Sequence, residues 1–363
     1  MHGHGNAGGP RPRLVFWELT TGCNLRCIHC RASATELMSP DDLNYQESCD
    51  VIDQIAEYAP LILVLSGGEP LWRRDVFDLA HRARSKNIRV ALATNGTLVD
   101  EAMAQRIQDA GIQRVAISLD GADRATHDNF RGHSGAFDAA IRGLRCVQDL
   151  GISTQINTTV SHHNVHQLPD IMKLAETLGV NAFHIFLLVP VGCGLTISED
   201  QSVKGREAEQ ILEWFYERSL ESTMELKATC APQYYRIVRQ KRAEAKRAGL
   251  SVPDLPTHGM NAVTRGCLAG QGVCFISHRG EVYPCGYLPL AAGDLRRQRF
   301  RDIWERATVF ATLRDSGNLD GKCGFCEFRQ VCMGCRARAY GVYGNFLAEE
   351  PFCEYQPRTG VHA

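Results

Sequence analysis

The stretch Cys23-Asn24-Leu25-Arg26-Cys27-Ile28-His29-Cys30 spaces three cysteines as C-x3-C-x2-C. Three thiolates in so short a loop suit a cubane iron–sulfur cluster that needs four ligands, and they leave one iron without a protein ligand. An electron-transfer cluster is closed by four cysteines. An iron with an open position can instead bind a small molecule and do chemistry there. Structural zinc is the plain alternative, but it would want a fourth nearby Cys or His. His29 is on offer, yet adjacent residues in a tight loop rarely both reach one ion.

Around this loop the chain alternates short apolar runs, at residues 14–19, 61–65, 88–93, 114–119, 153–160 and 182–189, with amphipathic stretches. Helices are expected at 44–58, 76–86, 100–110, 136–150 and 165–178. Gly111, Gly151 and Gly179 fall just after three of these, where a left-handed cap is expected. Six βα units in series predict an α/β fold, a parallel sheet curved into a partial barrel with helices outside. Such folds carry their chemistry at the C-terminal ends of strands. Residues 1–13 read as a flexible leader containing His2 and His4, 14–220 as the barrel and 221–259 as connector and linker. Residues 260–357 read as a Cys-rich domain and 358–363 as a tail. The span 205–249 is charged and helical in period.

Net charge is −1 with pI near 6.9, so no basic field draws the chain to nucleic acid or an anionic membrane. No apolar run reaches the length of a membrane span, and a cytoplasmic setting is expected. Fifteen cysteines, clustered in motifs, favour metal over disulfides in such a setting.

The cysteine loop after the first strand, followed by Ser66-Gly67-Gly68-Glu69-Pro70 after the second, resembles the radical S-adenosylmethionine (radical SAM) superfamily. The resemblance implies a partial (β/α)6 TIM-like barrel in which Cys23, Cys27 and Cys30 hold a 4Fe-4S cluster that chelates S-adenosylmethionine. It implies further that His29 packs beside the adenine, and that Gly67, Gly68 and Glu69 receive the methionine ammonium. Thr94, Asn95, Ser118, Asp120 and Asn157 would embrace the rest of the cofactor, with Arg131 on its carboxylate. A turn, a cap or a polar core contact is the ordinary alternative for each of these alone.

Cys267, Cys274 and Cys285, then Cys323, Cys326, Cys332, Cys335 and Cys353, resemble the SPASM extension of that superfamily, including Gly280 five residues before Cys285. The resemblance implies two auxiliary 4Fe-4S clusters, making three in all. Cys267, Cys274, Cys285 and Cys335 would hold one, and Cys323, Cys326, Cys332 and Cys353 the other. Cys332 and Cys335 are separated by two residues where the family often has three, which leaves the partition open. A zinc ribbon is the structural alternative for Cys323, Cys326, Cys332 and Cys335.

Residues 225–236, 274–278, 284–288 and 335–340 resemble the haem-synthase subgroup of the sirohaem-dependent haem pathway. That implies oxidative decarboxylation of two propionates of Fe-coproporphyrin III to vinyls, fed by a low-potential donor such as flavodoxin or ferredoxin. A substrate with four carboxylates should meet cations, and Lys227, Arg236, Arg336 and Arg338 are the candidates. Cys230, in an unusual polar-aromatic turn, is expected to touch substrate. Rival readings are a haem d1 or earlier haem-pathway enzyme, a peptide- or sulfatase-modifying SPASM enzyme, and a non-catalytic electron carrier.

Overall fold

The computed structural model describes residues 10–251 and 266–358. His2, His4, most of the linker, the start of the Cys-rich region and all of the tail but Arg358 lie outside them. The six apolar runs form parallel strands β1 (Leu14–Glu18), β2 (Ile62–Ser66), β3 (Arg89–Thr94), β4 (Arg114–Ser118), β5 (Ser153–Val160) and β6 (Ala182–Leu187). The intervening helices are α1 (Tyr45–Ala56), α2 (Val76–Ser85), α3 (Glu101–Asp109), α4 (Arg124–Arg131), α5 (Ala136–Asp149) and α6 (Leu168–Thr177). Local chemistry fixes their ends. Asn44 and Glu47 form a reciprocal capping box on α1, and Asp100 and Asp123 accept from backbone N–H groups at α3 and α4. Gly111, Gly151 and Gly179 all take positive φ, as the left-handed caps require.

The sheet is wider than the six runs predict. After α7 (Gly194–Gln201) and α8 (Gly205–Glu221), the expected connector supplies strand β7 (Glu225–Thr229), parallel to β6, and then α9 (Gln233–Arg247). Residues 225–229 alternate with period two, which the helical reading of 205–249 passed over. Leu226 and Ala228 join the helix-side core, whereas Glu225 pairs in bidentate fashion with Arg114 of β4, at 2.8 and 3.2 Å. At the opposite edge β8 (Val273–Ile276) runs parallel to β1, and β9 (Glu281–Tyr283) and β10 (Gly293–Asp294) follow antiparallel. The order is β10-β9-β8-β1-β2-β3-β4-β5-β6-β7. The Cys-rich region thus extends the barrel sheet before ending in α10 (Phe300–Arg306), α11 (Thr308–Arg314), α12 (Gly321–Phe325) and α13 (Arg336–Tyr343).

Side chains alternate across each strand, so the sheet has two faces of different character. Outward, Val15, Leu63, Leu92, Ile117, Ile156 and Phe183 build the main core beneath the helices. The inward face is divided. Ile62, Val64 and Ala91, with Leu14, Phe16 and Ala93, make a small apolar patch on β1–β3. Charged and polar groups line β4–β7. Among the described residues no helix is long and apolar enough to cross a membrane.

Trp304 is fully buried where α10 meets α11, with Phe310 at 5.2 Å and the Arg314 guanidinium over its ring. Trp304→Ala should cost about 3–5 kcal/mol, read as a lowered urea midpoint of the anaerobically isolated protein.

Candidate active site and cluster loops

The loop after β1 is built around its thiols. Cys23 N–H donates to Thr35 O at 2.7 Å, closing the loop on itself. The sulfurs are met by donors: Leu25 N–H to Cys23 and Ala34 N–H to Cys30, both at 3.4 Å, and Arg131 to Cys27 at 3.7 Å. Such donors stabilise sulfur ligands that carry negative charge. Burial pushes the Cys23 thiol up to about 12, so iron must displace its proton on binding.

Gly67 and Gly68 serve this loop before they serve any ligand. A Cβ on Gly68 would lie 2.4 Å from Gly22 O, and one on Gly67 would lie 2.7 Å from Thr20 O. The glycines therefore let the end of β2 press against the loop backbone, where Gly68 N–H donates to Thr20 O and Glu69 N–H to Gly22 O. The Glu69 carboxylate is fully buried. Oε1 accepts from Thr94 Oγ1 at 2.8 Å and Leu71 N–H at 3.1 Å, and Oε2 accepts from Asn95 N–H at 2.9 Å. A carboxylate has about four lone-pair directions, so one remains for an ammonium group. Asn95 also donates to Asn24 Oδ1 at 2.9 Å, fastening the end of β3 to the cysteine loop.

Asp120 and Arg131 meet each other. Their side chains form a buried ion pair, and Asp120 Oδ1 also accepts Thr159 N–H at 2.7 Å. Burial favours the neutral acid, but Arg131 outweighs it and holds the Asp120 carboxyl below its usual range. Arg131, the expected carboxylate clamp, pairs with Asp120 and donates to Cys27, and so braces the loop; its Nε has no hydrogen-bond partner among the described residues. His29 stacks on Phe130 at 4.1 Å, and Phe130 stacks in turn on His163 at 4.8 Å. Burial drops the His29 imidazole to about 4, so a flat neutral ring stands beside the thiols.

Sheet register places Ser118, Asn157, His184 and Lys227 in one row across β4–β7. Gln155 donates to His184 Nδ1 at 2.9 Å and to Asn157 Oδ1 at 2.7 Å, leaving His184 Nε2 buried without a hydrogen-bond partner among the described residues. Burial lowers the Lys227 ammonium. Sequence reasoning missed His184, although the alternation Ala182-Phe183-His184 carries its inward direction. It also missed Arg31, which pairs with Glu18 at 2.5 Å, lies 4.4 Å from the Phe275 ring centroid and donates to Gly286 O. Arg31 thereby ties the first cysteine loop to the loop holding Cys285, and no motif announces it. Cys193 N–H donates to Cys30 O at 2.9 Å, beside the loop.

Cys323, Cys326, Cys332 and Cys353 line one cavity together with Arg236 and Glu350. Glu350 N–H reaches Cys323 at 3.3 Å, Phe328 N–H reaches Cys326 and Gly334 N–H reaches Cys332, each at 3.4 Å. Their donor set is that of the N-terminal loop, and it suits a cluster. Among the described residues no three thiols, imidazoles or carboxylates gather as a site for a single metal ion would require. Cys267 and Cys285 pack with Cys335, but Cys274 does not join them. It lies on the outward face of β8, fully buried in the main core. Cys230 takes the place beside Cys335.

The arginines expected on substrate are also spent. Arg336 and Arg338 have no exposed surface. Arg336 donates to Phe346 O and Ala348 O, and Arg338 pairs with Glu350 at 3.1 Å and donates to Cys230 O. Arg236 pairs with Glu209. All three brace the Cys-rich region, because guanidinium groups this buried must be paired. Of the four cations only Lys227 faces the barrel interior.

The chain matches the family model of the radical SAM superfamily over residues 17–175, and that of an iron-sulfur cluster-binding domain, SPASM, over residues 267–336. The AdoMet-dependent heme synthase of Methanosarcina barkeri is 49% identical, covering 95% of this chain and 97% of its own. The chain belongs to the AdoMet-dependent heme synthase family. The family member from Nitratidesulfovibrio vulgaris is 47% identical over 97% of this chain and 94% of its own. The fold is similar to that of anSMEcpe solved with bound AdoMet, at TM-score 0.65, 19% identity and 94% of each chain. This heme synthase family member is a radical SAM enzyme that binds S-adenosylmethionine and iron–sulfur clusters in both matched regions.

Burial raises the Glu69 carboxyl to about 6, despite the three donors that favour its charge. An arriving ammonium must displace that proton. S-adenosylmethionine affinity should therefore rise as pH climbs through about 6 and level off above it, measured by anaerobic equilibrium dialysis. Glu69→Gln should flatten this profile and weaken binding about tenfold or more, the worth of a charge-assisted hydrogen bond.

Proposed function

We propose that this chain converts two propionates of Fe-coproporphyrin III to vinyl groups, yielding haem b. Each propionate loses a hydrogen atom, carbon dioxide and one electron. The near full-length likeness to a heme synthase carries this reading. Bound at the first cluster, S-adenosylmethionine supplies the 5′-deoxyadenosyl radical that takes the hydrogen. We assign its cluster to Cys23, Cys27 and Cys30, and its ammonium to Glu69.

The chain's own part is to hold and orient. Lys227 binds a propionate carboxylate inside the barrel, where few waters compete and one ammonium fixes the carboxylate's position. His184, opposite Lys227 in the same row and with Nε2 buried without a partner among the described residues, offers that carboxylate a second donor. The C-terminal cysteine groups would hold two auxiliary 4Fe-4S clusters, which would supply an acceptor for the departing electron, and a flavodoxin or ferredoxin would serve as external donor in a reduced cytoplasm.

Anaerobic incubation with S-adenosylmethionine, reductant and Fe-coproporphyrin III should give a porphyrin lighter by two formic-acid equivalents. Untouched porphyrin beside active cofactor cleavage would assign the chain a different substrate. The reconstituted protein should hold about twelve irons, four for each cluster. Lys227→Met should raise the porphyrin KM about tenfold or more, equal to about 1.4 kcal/mol of binding, while cofactor cleavage without porphyrin stays unchanged.

A further inference from the structure

We infer that Cys230, from the end of β7, and not Cys274, is the fourth cysteine ligand of the auxiliary cluster bound by Cys267, Cys285 and Cys335. This inference rests on the proposed presence of that cluster. Cys274 is the fourth thiol that the resemblance to the SPASM extension implies, but its strand aims it the wrong way. In β8 it pairs with Val15, and both side chains enter the helix-side core, with Arg314 the charged neighbour of the thiol. Turning Cys274 to the other face would need a one-residue register slip. That slip would drive Ile276 out of the core as well.

Cys230 is held where Cys274 cannot reach. It adopts φ 55°, the left-handed conformation, directly after Thr229 ends β7. A non-glycine residue is strained there, and the surrounding contacts explain why it persists. Arg338 Nη2 donates to Cys230 O at 2.7 Å, and Arg338 Nη1 pairs with Glu350 Oε1 at 3.1 Å. Glu350 Oε2 in turn accepts Cys335 N–H at 2.6 Å. One buried ion pair, with its residues at 0% and 1% exposure, therefore positions the backbones of both cysteines. Cys230 and Cys335 are neighbours in one small packed group, and Cys267 and Cys285 join it with Tyr287. Four sulfurs from four separate segments converge, which a four-ligand cluster requires and a lone structural thiol does not. On ligation each thiol gives up its proton to solvent and each thiolate binds one iron. Such a ligand also joins the cluster to the strand that carries Lys227. Lys227 and Cys230 are three positions apart on that segment, so the same segment would serve substrate and cluster.

The test compares Cys230→Ala, Cys230→Ser and Cys274→Ala in the full chain, reconstituted anaerobically, by iron and sulfide content and by electron paramagnetic resonance of the reduced protein. The wild-type protein should carry about twelve irons. Cys230→Ala should lose about four of them, or one iron from that cluster with a new three-iron signal. Cys230→Ser, which keeps an oxygen donor and the shape of the turn, should retain the iron and shift only the signal of that cluster. Cys274→Ala should keep the wild-type content and spectrum. A shift of the first cluster's signal on adding S-adenosylmethionine reports that each variant is folded. Loss of iron from Cys274→Ala, with both Cys230 variants unchanged in content and spectrum, would overturn the assignment. Wild-type protein without this auxiliary cluster would instead remove the reading on which it stands.

Discussion

The backbone of Gly68 lies so close to that of Gly22 that no side chain fits between them, and the radical-generating end of the barrel hangs on that contact. Through it the end of β2 seats the cysteine loop, and Glu69 is carried into the position where Thr94, Asn95 and Leu71 bind it. Asn95 reaches back to Asn24, and Arg131 crosses from Asp120 to Cys27. The polar groups that resemble a cofactor cradle are thus first a scaffold for one another. Side chains held by one another in this way orient the groups left over for a ligand.

The six βα units were legible because each strand buries one apolar face and three of the helices end at a glycine cap. β7 was not, because Glu225 and Lys227 look like surface charges until Arg114 and the barrel interior are there to receive them. The same limit governs the site. Spacing groups most of the cysteines into motifs, and clustered thiols point to metal. It does not reveal which face of a strand each one occupies, and Cys274 packs in the helix-side core while Cys230 packs beside Cys335. Arg236, Arg336 and Arg338 sit among those cysteines in sequence, but their partners, Glu209, Glu350 and backbone carbonyls, come from elsewhere in the chain. Lys227 keeps its place inside the barrel because β7 turns it inward.

Charge is distributed with purpose across the inner face. The apolar patch of Leu14, Phe16, Ile62 and Val64 gives way, four strands on, to His184 and Lys227. A flat, apolar macrocycle with carboxylates at its rim has the same two-sided character. Arg31 adds a second organising cation, shared among Glu18, the Phe275 ring and Gly286. It joins the loop of the first three cysteines to the loop that holds Cys285.

The first strand is flanked on one side by β2 and on the other by β8, whose residues arrive roughly 260 positions later in the chain. During synthesis β1 must therefore wait, one edge unpaired, until most of the polypeptide has emerged. Such long-range closure makes for slow folding and a lasting exposure to aggregation. The cell that makes this protein must shelter a half-finished sheet for as long as the ribosome needs to complete it.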